Sequence, residues 1–215
     1  EQPAAAPEES KPMAMIAGSA STGGANYLIM SGWAEIMNKN TKHKITVEAT
    51  GGPGSNIELI GNGDAQIGVV AMSIALPAMN GTGWAEGKDF SNLRSMFGVH
   101  DALMDGLALK DKGINSIYDL TGKVVSLGPA GGTPALAVPD IFKYLKIEPK
   151  YVNLGQEDSI NALKDGQIDA AIFFGGVPRP AFQEIAASHE VTQLVLSAEE
   201  VDKLIKELPQ YSKGT

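Results

Sequence analysis

Cysteine is missing from all 215 residues, so disulfides, thiolate metal sites and a cysteine nucleophile are excluded. Arginine is nearly missing too: Arg94 and Arg179 are the only two, and no cluster of Lys and Arg occurs. With a formal net charge of −8 and a sequence pI near 4.9, the chain lacks the basic footprint of a nucleic-acid or anionic-membrane surface. No run approaches the ~18 apolar residues of a membrane span, and no basic segment leading into an apolar one opens the sequence. The P-loop signature, the dinucleotide fingerprint G-x-G-x-x-G and the hydrolase elbow G-x-S-x-G are also absent. No His/Asp/Glu spacing matches a familiar metal set, and the carboxylates are scattered rather than paired for acid/base work.

What the chain does have is one local phrase written twice. A short apolar strand, a glycine-rich turn with hydroxyls and an amphipathic helix occur at Met15 to Tyr27 and again at Val124 to Pro134. Such a turn leaves several backbone N–H groups unpaired at a helix N-terminus, where the helix dipole favours negative charge. Two such sites suggest two lobes gripping one small anion. A hydrophobic fraction of 43% over this length suffices for one large domain or two small ones.

Residues 1–12, rich in Pro, Ala and Glu, cannot bury anything and suggest a flexible leader. A mature exported protein after signal removal and a cytosolic chain beginning here fit this composition equally. Ile29, Trp33, Ile36 and Met37 then fall at helical spacing, Lys44 to Thr50 alternates as a strand, and Ser55 can cap a helix carrying Ile57 and Ile60. The continuous apolar run Ile67 to Met72 predicts a strand buried on both faces, with further strands over Leu93 to His100 and Gly106 to Lys110. From Lys123 the pattern restarts, and Val138, Ile141, Phe142 and Leu145 mark a helix with one buried face. Asn56 to Val69 is echoed by Ser159 to Ile172, each a helix ending at a Gly that feeds a buried strand. A strand over Val191 to Leu196 and an acidic helix end the chain. Two βαβ halves point to an α/β protein of two lobes, in which ligands sit beyond the carboxyl ends of the strands.

Ser19, Ser21, Thr22 and Thr133 place hydroxyls beside the turn amides, a set that suits a carboxylate; one or two would cap helices instead. Tyr27 is assigned to core packing before cleft lining. His43 and His189 are taken as solvated, and His100 beside Asp101 is a weaker cleft candidate. Arg179, between Pro178 and Pro180, can clamp a carboxylate or sit exposed in its loop.

Taken together, these pieces resemble the TAXI-type solute receptors of TRAP transporters. The matching segments are Gly23-Gly24 with Tyr27, Thr50-Gly51-Gly52 with Ser55 and Asn56, Gly63 to Val70, Leu93-Arg94, Gly122 to Val125, and Ala162 to Pro178. The resemblance implies a two-lobed, type II periplasmic-binding fold, each lobe a mostly parallel sheet flanked by helices, with the ligand cleft between lobes. It implies an extracytoplasmic receptor that closes on a small organic anion (glutamate, glutamine or a dicarboxylate) and delivers it to a TRAP-type permease, with no cofactor, metal or catalysis. By position in the family, the cleft is lined by Ser19, Thr22, Gly23, Tyr27, Ser55, Asn56, Ala71, Met72, Ser73, Gly128, Gly131, Gly132, Thr133, Phe174 and Gly175. The expected layout is a first lobe over residues 13–115, a second over 116–190, and a return strand and acidic helix over 191–215, with hinges near 110–123 and 188–198.

Two departures stand out. The second turn, Gly128 to Thr133, is one residue and one hydroxyl shorter than the family's. Family members also continue past a motif like Pro209-Gln210-Tyr211, which suggests a further segment completing the first lobe. The rival reading is an enzyme on the same scaffold that uses His100 and Asp101 for proton transfer.

Overall fold

The computed structural model describes residues 11–22, 25–177 and 179–214, so Gly23 and most of the leader lie outside it. The first lobe opens with strand β1 (Ala14–Gly18), helix α1 (Ala25–Asn40), β2 (Lys44–Glu48), α2 (Pro53–Asn62), β3 (Ile67–Gly68) and α3 (Met72–Asn80). Its sheet has the order β2-β1-β3 and is parallel throughout.

The second sheet contains β4 (Leu103–Leu109), β5 (Val124–Ser126), β6 (Lys150–Val152), β7 (Ala170–Gly175) and β8 (Val191–Leu194), in the order β6-β5-β7-β4-β8. Helices α4 (Thr133–Leu145), α5 (Gln156–Lys164), α6 (Pro180–Ala186) and α7 (Ala198–Glu207) flank it. This sheet is mixed: β5 runs parallel to β6 and β7, whereas β4 runs antiparallel to β7 and β8. Its two faces bury separate apolar clusters. One is built round Phe142, Leu127 and Ile172 on the α4 side, the other round Leu107, Leu163 and Phe173 on the α5 side.

Several expectations need correction. The run from Ile67 to Met72 keeps only two residues in a strand, Val69 to Ala71 form the link onward and α3 begins at Met72; Ile74, Ala75 and Ala78 of that helix are buried, and it tolerates Pro77 inside it. Leu93 to His100 forms no strand and crosses the α1 face instead, with the Phe97 ring 6.0 Å from Trp33. In α1 the buried residues are Met30 and Ala34, whereas Ile29 and Ile36 face solvent. The cap of α2 is Gly52, three residues before the expected cap Ser55, which lies inside the helix. The last strand stops at Leu194 rather than Leu196.

The lobe boundary also shifts. Strand β4 already hydrogen-bonds into the second sheet, so the first lobe ends before Leu103 rather than at 115. Residues 110–123 and the strand within 188–198 belong with that sheet, and the chain passes from the first sheet to the second after Leu93, which is still buried with Ile57 and Ile74.

Candidate functional site

The turns after β1, β2 and β3 meet at one residue. Asn56, fully buried in the first turns of α2, donates from Nδ2 to the carbonyls of Ser19 (2.7 Å) and Val69 (2.8 Å), and its Oδ1 accepts from Thr50 Oγ1 (2.7 Å). Ser19, also fully buried, donates from Oγ to the Glu48 carbonyl at 2.7 Å. Two of the expected ligand contacts therefore spend their polar atoms inside the protein.

The second lobe meets this cluster through the turn after β5. The Gly54 amide donates to the Gly131 carbonyl at 2.9 Å, joining the N-terminal turn of α2 to that of α4. The seam is tight because it lacks Cβ atoms. A Cβ on Gly52, which has φ 120°, would lie 3.2 Å from Gly132 Cα, and one on Gly54 would meet the Leu136 side chain and lie 3.0 Å from Gly131 O. A Cβ on Gly131 would run into Ser55 Oγ. Beside the seam, Leu136, Ala137, Phe174 and Tyr211 pack into the apolar cluster of Ile57, Ile74 and Ala78, and Tyr211 Oη donates to the Ala137 carbonyl at 3.3 Å.

The structure thus brings Ser19, Ser55, Asn56, Gly131, Gly132 and Thr133 to one seam, with Ala71, Met72 and Ser73 opening α3 and Phe174 bridging from β7. Unlike Ser19 and Asn56, the hydroxyls of Tyr27, Ser55, Ser73 and Thr133 make no hydrogen bond within the protein among the described residues. Thr22 is exposed at the mouth of the first turn. Gly128 takes φ 70° to start the second turn, and the Asn153 side chain donates to its carbonyl at 3.0 Å.

The charge pattern is set by the helices. None of α1, α2, α3 or α4 carries an acidic residue in its first turn, and none of α2, α3 or α4 has a side-chain cap. By contrast α5, which leaves the edge strand β6, carries Glu157 and Asp158, and α7 carries Glu199 and Glu200 behind a Ser197 capping box. The seven-residue α6, capped by Arg179, has no acidic residue in its first turn either. Helix N-termini hold about +0.5 charge, which acidic first-turn residues normally offset. At the starts of α2 and α4, which meet through Gly54 and Gly131, no acidic side chain offsets it.

The two weaker candidates lie elsewhere. Arg179 is buried: its Nε donates to Asp105 Oδ1 at 2.7 Å, its Nη2 to the Leu103 carbonyl at 3.1 Å, and its guanidinium stacks between Phe173 and Phe182, 5.8 Å from each ring centre. It is neither an exposed loop residue nor a free carboxylate clamp. Burial pushes the Asp105 carboxyl up, and the guanidinium offsets this only in part. His100 joins the crossing segment to α1 through Asn26 Oδ1 (3.1 Å) and contacts the Asp101 carbonyl (2.9 Å).

Hollows of about 430 Å³ beside Lys110 and His189 and of about 480 Å³ beside Lys143 and Tyr151 contain no seam residue. Among the described residues no group of His, Asp and Glu could hold a metal ion, and no helix is long and apolar enough to cross a membrane.

Two α/β lobes joined by a crossing segment, with helix starts facing the seam, define a fold of the periplasmic-binding-protein class. The chain belongs to the NMT1-like family, which it matches over residues 17–215. It is similar in structure to an ancestral arginine-binding protein bound to arginine (TM-score 0.60, 16% identity, 92% of each chain covered). It is also similar to the binding protein component of an ABC phosphonate transporter from Pseudomonas aeruginosa (TM-score 0.55, 13% identity, 92% of this chain and 74% of that one). A third is the alkanesulfonate-binding protein SsuA from Xanthomonas axonopodis pv. citri bound to MOPS (TM-score 0.57, 13% identity, 87% of this chain covered). The chain spans 62% of that protein's length.

Proposed function

We propose that this protein is an extracytoplasmic solute receptor that binds a small organic anion at the seam and delivers it to a membrane permease by lobe closure. The observation that carries this reading is the meeting of two helix starts without first-turn acids, α2 and α4, at the Gly54–Gly131 contact, with α3 opening beside them. Backbone amides and the hydroxyls of Thr22, Tyr27, Ser55, Ser73 and Thr133 supply donors without a buried lysine or arginine. Gly128, Gly132 and Gly175 let backbone approach the ligand, while Ala71, Met72 and Phe174 supply apolar contact; the family position Gly23 lies outside the described residues. Closure then amounts to the preference of a ligand touching both lobes for the form in which they meet. No covalent step is needed.

The ligand class within this reading is an amino acid such as glutamate or glutamine, or a dicarboxylate, and the permease is of the TRAP type. Both rest on the resemblance to TAXI receptors; the phosphonate-transporter relative in structure is an ABC component. Native mass spectrometry of the purified chain, followed by denaturation, tests the reading. A released amino acid or dicarboxylate supports it, whereas a released cation or neutral lipid contradicts it. The permease is tested by co-expression with TRAP and ABC membrane subunits and by which of them gains ligand uptake.

A further inference from the structure

The carboxamide of Asn56 reaches the carboxyl end of every strand in the first sheet. Ser19 lies just past β1, Thr50 just past β2 and Val69 just past β3, and one side chain bonds to all three at 2.7 to 2.8 Å. Both of its donor hydrogens and its acceptor oxygen are used. A backbone amide in each turn is also bonded: Ser19 N donates to Glu48 O (3.0 Å), Gly52 N to Thr50 Oγ1 (3.2 Å) and Val69 N to Gly18 O (3.1 Å). Space for the carboxamide is made by two glycines, since a Cβ on Gly18 would lie 2.5 Å from Asn56 Oδ1 and one on Gly68 would lie 2.9 Å from Asn56 Cβ.

We infer that Asn56 is the positioning residue of the binding face, holding the β1, β2 and β3 turns in one mutual arrangement, rather than a ligand contact. This rests on the proposed function only in taking those turns as the binding face. No other side chain meets the demand: Asp has no donors for the Ser19 and Val69 carbonyls, Gln carries its amide one methylene further, and Leu has neither donor nor acceptor. Because Asn56 belongs to α2, whose Gly54 meets Gly131, it also ties the three turns to the helix that meets the second lobe.

Amide hydrogen exchange on the full chain tests this without any ligand. In Asn56→Asp a carboxylate oxygen faces two carbonyls, so the Ser19, Gly52 and Val69 amides are expected to exchange faster together, each by roughly tenfold or more. The Leu127 and Asp169 amides, bonded within the second sheet, should keep their wild-type rates. Protonating the introduced carboxyl restores one donor, and burial beside two carbonyls raises its pKa, so part of the protection should return as pH falls, already above the ordinary carboxylate range. Gly68→Ala touches Asn56 and Ile60 but neither of the other turns, and it should speed the same three amides. Unchanged rates at these amides, acceleration at one turn alone, or equal acceleration in the second sheet would overturn the inference. Failure of L-glutamate to bind the wild-type chain counts against the proposed function alone, since the exchange readout does not depend on it.

Discussion

The Gly54 amide and the Gly131 carbonyl meet at 2.9 Å, so the two lobes touch backbone to backbone at the spot where two helix N-termini converge. No side chain can intervene, because Cβ atoms at Gly54 and Gly131 have no room. The closeness of the lobes is therefore set by glycine itself.

Gly131→Ala is expected to hold the lobes apart, since the added methyl runs into Ser55 Oγ and lies 3.4 Å from Gly51 O. Small-angle scattering should report a larger radius of gyration than wild type. An unchanged radius would show that the seam yields locally instead.

Removing one seam hydroxyl should weaken anion binding without unfolding the chain. Thr133→Val and Ser55→Ala each delete a donor that has no partner inside the protein, so affinity for a bound anion should fall about three- to tenfold. Melting temperatures measured in the same samples should stay near wild type.

The Asp105–Arg179 pair carries stability rather than ligand. Both side chains are almost wholly buried, so Asp105→Ala leaves a guanidinium without its charge partner and should cost about 3–5 kcal/mol in urea unfolding. The expected effect on ligand affinity in the folded protein is small.

At the last helix the pH dependence has a definite sign. Hydrogen bonds from Tyr118 and from the Ser197 hydroxyl and amide hold the Glu200 carboxyl below its ordinary value of 4.5. A lowered folded value means stability present above pH 4.5 and lost as pH falls through the folded value. The stability difference between wild type and Glu200→Gln should therefore shrink as acid is added. The same hydrogen bond pushes Tyr118 up to about 12, so its contribution is intact below pH 10 and fades as pH rises toward that value, measurable by tyrosinate absorbance against Tyr118→Phe.

His100→Ala separates receptor from enzyme. His100 is exposed and bonded to Asn26 on α1, so the substitution should change anion affinity less than about threefold. A loss of chemical turnover in this variant would instead favour the catalytic reading.

The repeated strand, turn and helix were legible in the sequence because glycine-rich turns and helical periodicity are local signals. Val138, Ile141 and Phe142 lie buried as their spacing indicated. Helix α3 was hidden because Ile67 to Met72 is apolar without a break, a pattern that strand and buried helix share, and Pro77 discourages a helical reading. Leu93 to His100 misled for the opposite reason: its apolar residues enter no ladder, Leu93 packing with Ile57 and Ile74, Phe97 lying against Trp33, and Met96 and Val99 exposed. The turns of the site were legible as a set, but the roles within it were not. Nothing local distinguishes Asn56, whose partners lie 6, 13 and 37 residues away, from Ser55 beside it. The same holds for Arg179, whose partner Asp105 is 74 residues distant.

The most direct measurement is titration calorimetry of the full chain with L-glutamate and with its dimethyl ester, which keeps the shape but loses both carboxylates. The account predicts saturable binding of the acid, weakened in Thr133→Val, and none of the ester. Equal binding of acid and ester, or acid binding that Thr133→Val and Ser55→Ala both leave untouched, would contradict an anion site at the seam.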